Sequence, residues 1–200
     1  MKVLCLLGSP RAKSNSSTLA KRFCDTVERL GASVQCYSLK DLKYSGCTGC
    51  EICKTNLDKC VLIDDLSEVL DAVYQTDVLV MASPVYYGDI SSQLKAFVDH
   101  TFSYLLPDYL TNPVHSRLPP GKKLVFILAQ ANAEKTCYTD IYPKYEHFFN
   151  WYYGFEDNHL IRACGVRNPG DVEAQEDIMK LAENAAKRIL VRRPSRRRAD

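Results

Sequence analysis

"DVLVMASPVYYGDISSQLKAFVDH", residues 77–100, decides the fold. Its first half, "DVLVMASP" (77–84), is apolar without alternation, so it reads as a strand buried on both faces. That is the mark of a parallel sheet covered by helices on either side. Four more apolar runs match it: "KVLCLLG" (2–8), "SVQCYSL" (33–39), "KLVFILAQ" (123–130) and "DNHLIRACGV" (157–166). Helical patterns separate them over 16–31 (stopped by Gly31), 64–76, 91–105 (capped near Ser91), 139–153 and 171–191. Alternating strands and helices with right-handed crossovers give a three-layer α/β sandwich. We expect one domain over residues 1–191, with no internal repeat, and a basic, disordered tail over 192–200.

Sheets of this kind bind ligands beyond the carboxyl ends of their strands. The loops after the first, third and fourth strands are therefore where function should lie. After the first strand, "GSPRAKSNSST" offers Ser9, Ser14, Ser16, Ser17, Thr18, Arg11 and the free N–H groups of a helix start. It matches neither GxxxxGK[ST] nor GxGxxG. Its donors suit a dianionic phosphate, or else simply form a Ser-rich turn with Ser16 or Ser17 as the N-cap. Cys5 and Arg11 share the Cys-x5-Arg spacing of phosphatases with a cysteine nucleophile. Cys5, however, falls inside the strand and Ala12 follows Arg11, so a buried thiol is the better reading. After the third strand, Pro84 and Gly88 bracket Val85, Tyr86 and Tyr87. Gly88 permits a turn that presents backbone amides, and the tyrosines offer flat surfaces to a heteroaromatic ring.

Bulk properties narrow the classes. Net charge is +2, but the last nine residues, "RRPSRRRAD", supply +4 of it, and the other 191 sum to −2. The body thus carries no field for gripping nucleic acid. The apolar run at "MKVLCLLGSPR" ends at Leu7, too short for a signal segment, and nowhere do about eighteen apolar residues run together. Nine cysteines without an export signal suggest a reducing cytoplasm.

"GSPR…SNSSTL" followed by "SPVYYGDISSQLKAFVD" resembles the NADPH-dependent FMN reductase family, which has a flavodoxin-like fold. The segment between, "CTGCEICKTNLDKCVLIDDL", resembles the iron–sulfur flavoprotein branch. The resemblance covers residues 1–130, and "GVRNPGDV" at the last strand also fits. It implies a five-stranded sheet in the order 2-1-3-4-5. It further implies that Ser9, Arg11, Ser16, Ser17 and Thr18 hold the FMN phosphate and that Pro84, Val85, Tyr86, Tyr87 and Gly88 line the isoalloxazine. Gln130, Ala131 and Asn132 would stand on the flavin's other side. Members often carry Gly-Asn-Thr where this chain has "SST". The implied activity is hydride transfer from NADPH or NADH to FMN, then electron delivery to a small-molecule or protein acceptor. The flavin carries that chemistry, so no side chain is nominated as acid or base, His100 and His115 included. Rival functions are an iron–sulfur flavoprotein working with a ferredoxin-like partner and a non-catalytic flavin-binding protein.

Cys47, Cys50, Cys53 and Cys60 follow C-x2-C-x2-C-x6-C within one connection. Structural zinc takes separated pairs of ligands, whereas compact runs hold [4Fe–4S] clusters. Gly46 and Gly49 would let the backbone fold around a cluster. The alternative is the same loop left empty, and spacing alone does not separate the two. Finally, "DIYPKYEHFFNWYYGF" puts Ile141, Tyr145, Phe148, Phe149 and Tyr152 on one helical face, expected to be core. Tyr142, Trp151 and Tyr153 would form an extra apolar surface. Either the Pro-rich segment 104–121 covers it, or a second copy does in a homodimer or homotetramer.

Overall fold

In the computed structural model, which describes residues 1–191, five parallel strands form one sheet in the order β2-β1-β3-β4-β5. The strands are β1 (Lys2–Leu7), β2 (Ser33–Ser38), β3 (Val78–Pro84), β4 (Lys123–Ala129) and β5 (His159–Ala163). The helices are α1 (Asn15–Arg29), α2 (Ile52–Thr55), α3 (Asp65–Gln75), α4 (Ser92–His100), α5 (Ile141–Tyr153) and α6 (Glu176–Ile189). The expected three-layer sandwich and strand order are both present. The Arg-rich tail lies outside the described residues.

The uniform apolarity of β3 has a simple cause. Its residues alternate between two cores that differ in shape. Leu79 and Met81 join Leu4, Leu6, Leu124, Phe126 and Leu128 against α3, α4 and α5. Val78, Val80 and Ala82 join Val3, Cys5, Val125 and Ile127 against α1 and α6. Larger side chains fill one face and smaller, mostly β-branched ones the other, so a one-residue slip would put Leu where Val fits.

Helix boundaries moved where caps outweighed periodicity. α3 starts after Asp64, which forms a capping box with Ser67. The pattern over 91–105 breaks at His100 into α4 and a 3-10 turn over 101–104. In α5 the buried ridge is Ile141, Tyr145, Phe149 and Tyr153. Tyr153 takes the core place expected for Phe148 and Tyr152, because the buried side chains follow a strict i, i+4 ridge. The Tyr153 hydroxyl meets Thr101 Oγ1 at 2.9 Å. Phe148 is 47% exposed and Trp151 60%. The Pro-rich segment meets this face: Tyr109 and His115 both pack edge-on against Tyr152.

Candidate functional site

At the carboxyl ends of β1, β3 and β4 the sheet opens into a cleft of about 190 Å³. Its geometry begins with Gly8. The Gly8 N–H donates to Ala82 O at 2.8 Å, so the chain leaves β1 still tied to β3. A Cβ on Gly8 would lie 2.8 Å from Leu94 Cβ, 3.0 Å from Ser91 Oγ and 3.1 Å from Ala82 O. Only glycine fits. Ser91 caps α4, accepting from Leu94 N (3.3 Å), and its hydroxyl donates to Gly8 O at 2.6 Å. The two ligand-facing loops are thus joined through buried bonds.

The cap of α1 is Ser14, not Ser16 or Ser17. Ser14 has the extended backbone a cap requires (φ −146°) and its hydroxyl accepts from Ser17 N. Ser16 and Ser17 already lie in the first turn. The N–H groups of Asn15 and Ser16 have no partner within the helix, and both residues stand in the cleft wall. Asn15 anchors a further wall: its amide donates to Asn168 O at 2.9 Å and its carbonyl oxygen accepts from Val172 N at 3.2 Å. Arg11 Nη1 donates to Arg167 O at 2.9 Å. Asp171 accepts from the amides of Arg167 and Asn168.

Of the expected residues, Ser9, Arg11, Ser16, Pro84, Val85, Tyr86 and Ala131 wall this cleft. Ser17 is occupied with the cap, and Thr18 lines a different hollow between α1 and α6. That hollow is larger, about 570 Å³, but its walls include Lys21, Asp25, Glu176 and Glu183 and it lies away from the strand ends. Gln130 turns inward: it is buried, with Nε2 donating to Asn132 O and Glu134 O and Oε1 accepting from Arg162. Asn132 shapes the same turn by accepting from Glu134 N. Sequence reasoning missed Asn15, Val166 and Arg167 as wall residues; only the "GVRNPGDV" segment hinted at the last two.

Tyr87 and Gly88 form the rim, outside the wall. Tyr86 and Asp89 exchange backbone hydrogen bonds of 2.8 and 3.0 Å across them. The Asp89 carboxylate accepts from Ile90 N, Lys144 Nζ and Tyr145 Oη. Burial pushes its pKa up, but these three donors outweigh burial and leave it below 3.8. A depressed carboxylate stabilises the fold above its unfolded value and loses that contribution as pH falls through its folded value. The turn is therefore expected to hold at neutral pH and loosen below about pH 4, read as faster hydrogen exchange of the Tyr86 and Asp89 amides. Asp89→Asn should remove that acid response.

The wall suits one end of an anionic ligand. Hydroxyls, helix-start amides and the side chains of Arg11 and Arg167 line it, and none of its residues is acidic. At about 190 Å³ the cleft is smaller than the ~300 Å³ and more of pockets that enclose a whole ligand. It can hold a phosphate and chain while a ring lies at the rim.

The four cysteines line one second pocket, together with Glu51 and His100. The connection is stapled at its base, where Asp64 accepts from Ser45 N and Asp65 from Lys43 N. Cys53, on α2, is buried, and its turn is clamped to the chain that follows α4. Lys54 Nζ donates to Phe102 O and Leu105 O, and Arg117 donates to Ser103 O, Leu105 O and Cys53 O. The N–H of Ile52 is the main influence holding the Cys50 thiol below its ordinary value; burial raises that of Cys60. Gly49 has φ +64° and so uses its freedom, whereas a Cβ added at Gly46 would meet nothing within 4 Å.

His100, the last residue of α4, is only 2% exposed. Its Nδ1 lies 3.8 Å from Cys60 Sγ, and its Nε2 is buried without a hydrogen-bond partner. Buried polar atoms are nearly always paired, so this pocket fits an occupant that brings a hydrogen-bonding partner for Nε2. Among the described residues, no three His, Cys, Asp or Glu side chains are gathered as they would be around a single metal ion. Four separate thiols line this pocket, and thiolates are the ligands that a [4Fe–4S] cluster would require.

Cys5, the candidate phosphatase nucleophile, is fully buried in β1. Hydrogen bonding with Cys24 and Cys36, then burial, pushes its thiol well above its usual value. That environment opposes a thiolate. Among the described residues, no helix is long and apolar enough to cross a membrane.

Comparison with known proteins adds the family. An iron–sulfur flavoprotein of Methanocaldococcus jannaschii is 33% identical over 121 residues, 60% of this chain and 62% of that protein. An FMN-dependent NADH:quinone oxidoreductase of Pseudomonas putida is 29% identical over 105 residues, 52% of this chain and 53% of that protein. The matches thus span about half to three-fifths of these relatives. Among solved structures, an FMN-dependent NADH-azoreductase of Bacillus anthracis, in complex with FMN, superposes with TM-score 0.69 at 20% identity. That match covers 94% of this chain and 99% of the other, and it shows the fold alone. The family model described as flavodoxin-like fold matches residues 1–189, and the chain belongs to that family.

Proposed function

We propose that this protein is an FMN-dependent NAD(P)H oxidoreductase. The carrying observation is the cleft at the strand ends, where the start of α1, Arg11 and Arg167 face the loop of residues 84–86. Ser9, Ser16 and the Asn15 and Ser16 amides would hold the phosphate. Pro84, Val85 and Tyr86 would bear on the ring, with Gly88 at its edge. When bound, FMN would supply the hydride-accepting and electron-transferring chemistry; the protein orients it and shields it from water. The names of the Pseudomonas putida and Bacillus anthracis proteins support this reading. The test is direct. Purified protein should be yellow, release FMN on denaturation, and bleach with NADH or NADPH in the absence of oxygen. A colourless protein that takes up no FMN would defeat the proposal.

The cysteine pocket favours a second redox centre. Cys47, Cys50, Cys53 and Cys60 would hold a [4Fe–4S] cluster, and the name of the Methanocaldococcus jannaschii relative supports it. Helix α4 starts after Ser91, which is bonded to Gly8 O at the end of β1, and ends at His100 in this pocket. Nine residues at about 1.5 Å each set its ends roughly 13 Å apart, so one rigid element carries both sites. Protein purified without oxygen should contain about four iron atoms per chain with acid-labile sulfide, and Cys53→Ser should remove most of both while FMN stays bound. Iron-free protein that also resists reconstitution would eliminate the cluster.

The reductant would be NADH or NADPH and the acceptor a small molecule or a protein. Trp151, Phe148, Leu110 and Val114 are exposed and would be covered by a second copy in a homodimer or homotetramer working in the cytoplasm. A purely monomeric mass at micromolar concentration refutes that assembly.

A further inference from the structure

The rim turn holds a residue that should not be there on local grounds. Tyr87 has φ +49° and Gly88 φ +75°. Two left-handed residues between hydrogen-bonded partners is the pattern of a type I′ turn, whose first central position favours Asn, Asp or Gly. A bulky aromatic residue in this region is an outlier. The surroundings over-determine it: Tyr86 and Asp89 exchange both backbone bonds, and Asp89 is pinned by Lys144 and Tyr145. Strain held in place this way points to use. The ring it displays packs on nothing, since Tyr87 is fully exposed while Tyr86 of the same turn stands in the wall.

A second strained tyrosine stands beside Gly88 of this turn. Tyr138 has φ +62°, and its ring carbons Cδ1 and Cε1 lie 3.5 and 3.6 Å from where a Gly88 Cβ would be. Its loop is fastened by Arg162, which donates to Gln130 Oε1, Lys135 O and Cys137 O. Two tyrosines on left-handed backbone therefore belong to loops that meet at this turn: Tyr87 beside Gly88 in sequence, and Tyr138 with its ring near Gly88. No core packing repays Tyr87 for its conformation, so its contribution must come from something outside the chain.

We propose that Tyr87 is the stacking platform for the second planar ring, the one that reacts with the flavin, and not part of the flavin's own seat. That ring is a nicotinamide or an aromatic acceptor of quinone type, since a flat π-face recognises either by offset stacking. The inference rests on the flavin reading above.

The test uses the FMN-loaded full chain with Tyr87→Asn and Tyr87→Phe. Asparagine suits the backbone and removes the ring; phenylalanine keeps the ring and loses the hydroxyl. Two reactions separate the sources: saturation of anaerobic flavin reduction by NADH and NADPH, and the ratio of benzoquinone to ferricyanide reduction. Tyr87→Asn is expected to melt higher than the parent, to keep its FMN affinity within about twofold, and to lose about tenfold in one of the two reactions. The reaction that falls names the ring, and Tyr87→Phe should match the parent in both. Weakened FMN binding in Tyr87→Asn would overturn the proposal by placing Tyr87 in the flavin's seat. A smaller assembly on gel filtration would overturn it by making the ring an interface. Unchanged kinetics in Tyr87→Asn, or a loss in Tyr87→Phe as large as in Tyr87→Asn, would also sink it. Failure of the parent protein to bind FMN is a different result: it removes the flavin reading and this inference together.

Discussion

Gly8→Val is expected to lose FMN binding and a substantial part of the protein's stability. Even the first carbon of the new side chain would sit 2.8 Å from Leu94 Cβ and 3.1 Å from Ala82 O. Neither can retreat easily: Ala82 O belongs to β3, and Leu94 is buried in the first turn of α4. Overpacking of this kind costs about 1–3 kcal/mol, with roughly 2–4 °C of Tm for each kcal/mol at this chain length. The loss of binding should exceed what that destabilisation explains. Relief requires α4 to move, and α4 carries Ser91, whose hydroxyl donates to Gly8 O. Thermal melting and FMN titration measure the two effects separately. Gly46→Ala provides the contrast, because a Cβ there meets nothing within 4 Å. If Gly8→Val binds FMN like the parent, the cleft is not the flavin site.

Arg162→Ala should be nearly as damaging, although Arg162 touches no part of the cleft wall. Its guanidinium supplies both hydrogen bonds to Gln130 Oε1 and others to Lys135 O and Cys137 O. Removing it leaves the buried Gln130 carbonyl without a donor, and unsatisfied buried groups cost about 1–3 kcal/mol each. A total near 3 kcal/mol corresponds to a fall in Tm of roughly 6–12 °C. Loop 131–138 would then lose its fastening, and FMN affinity should fall by about tenfold or more because Ala131 stands in the wall. Arg162→Lys should recover little, since an ammonium cannot replace the planar fork. A Tm unchanged in Arg162→Ala would show that water satisfies Gln130 and that the arginine is dispensable.

Much of this was legible from residue order. Unbroken apolarity in residues 78–82 required burial on both faces, which required helices on both sides. The same logic located the ligand loops, and Ser9, Arg11, Ser16 and residues 84–86 do meet in one cleft. Local signals misled where a neighbour in space competed. The α1 cap moved to Ser14 because capping needs an extended backbone, not merely a hydroxyl near the helix start. Tyr153 displaced Phe148 and Tyr152 from the core because the buried ridge of α5 runs at a strict spacing of four.

The sequence by itself determined what is local or periodic: the strands, the helices, the layer order they force, and the clustering of four thiols in one connection. Tertiary structure alone decided which distant groups meet. It brought Arg167 and Asn168 to Arg11 and Asn15, over 150 positions away, through a backbone contact no motif records. It turned Gln130 inward onto Arg162, buried His100 against Cys60, and stood Tyr87 free at the rim. Periodicity encodes which face of an element is apolar. It carries no information about which side chain, many residues away, will satisfy a buried polar atom, and that pairing fixes the chemistry of both pockets.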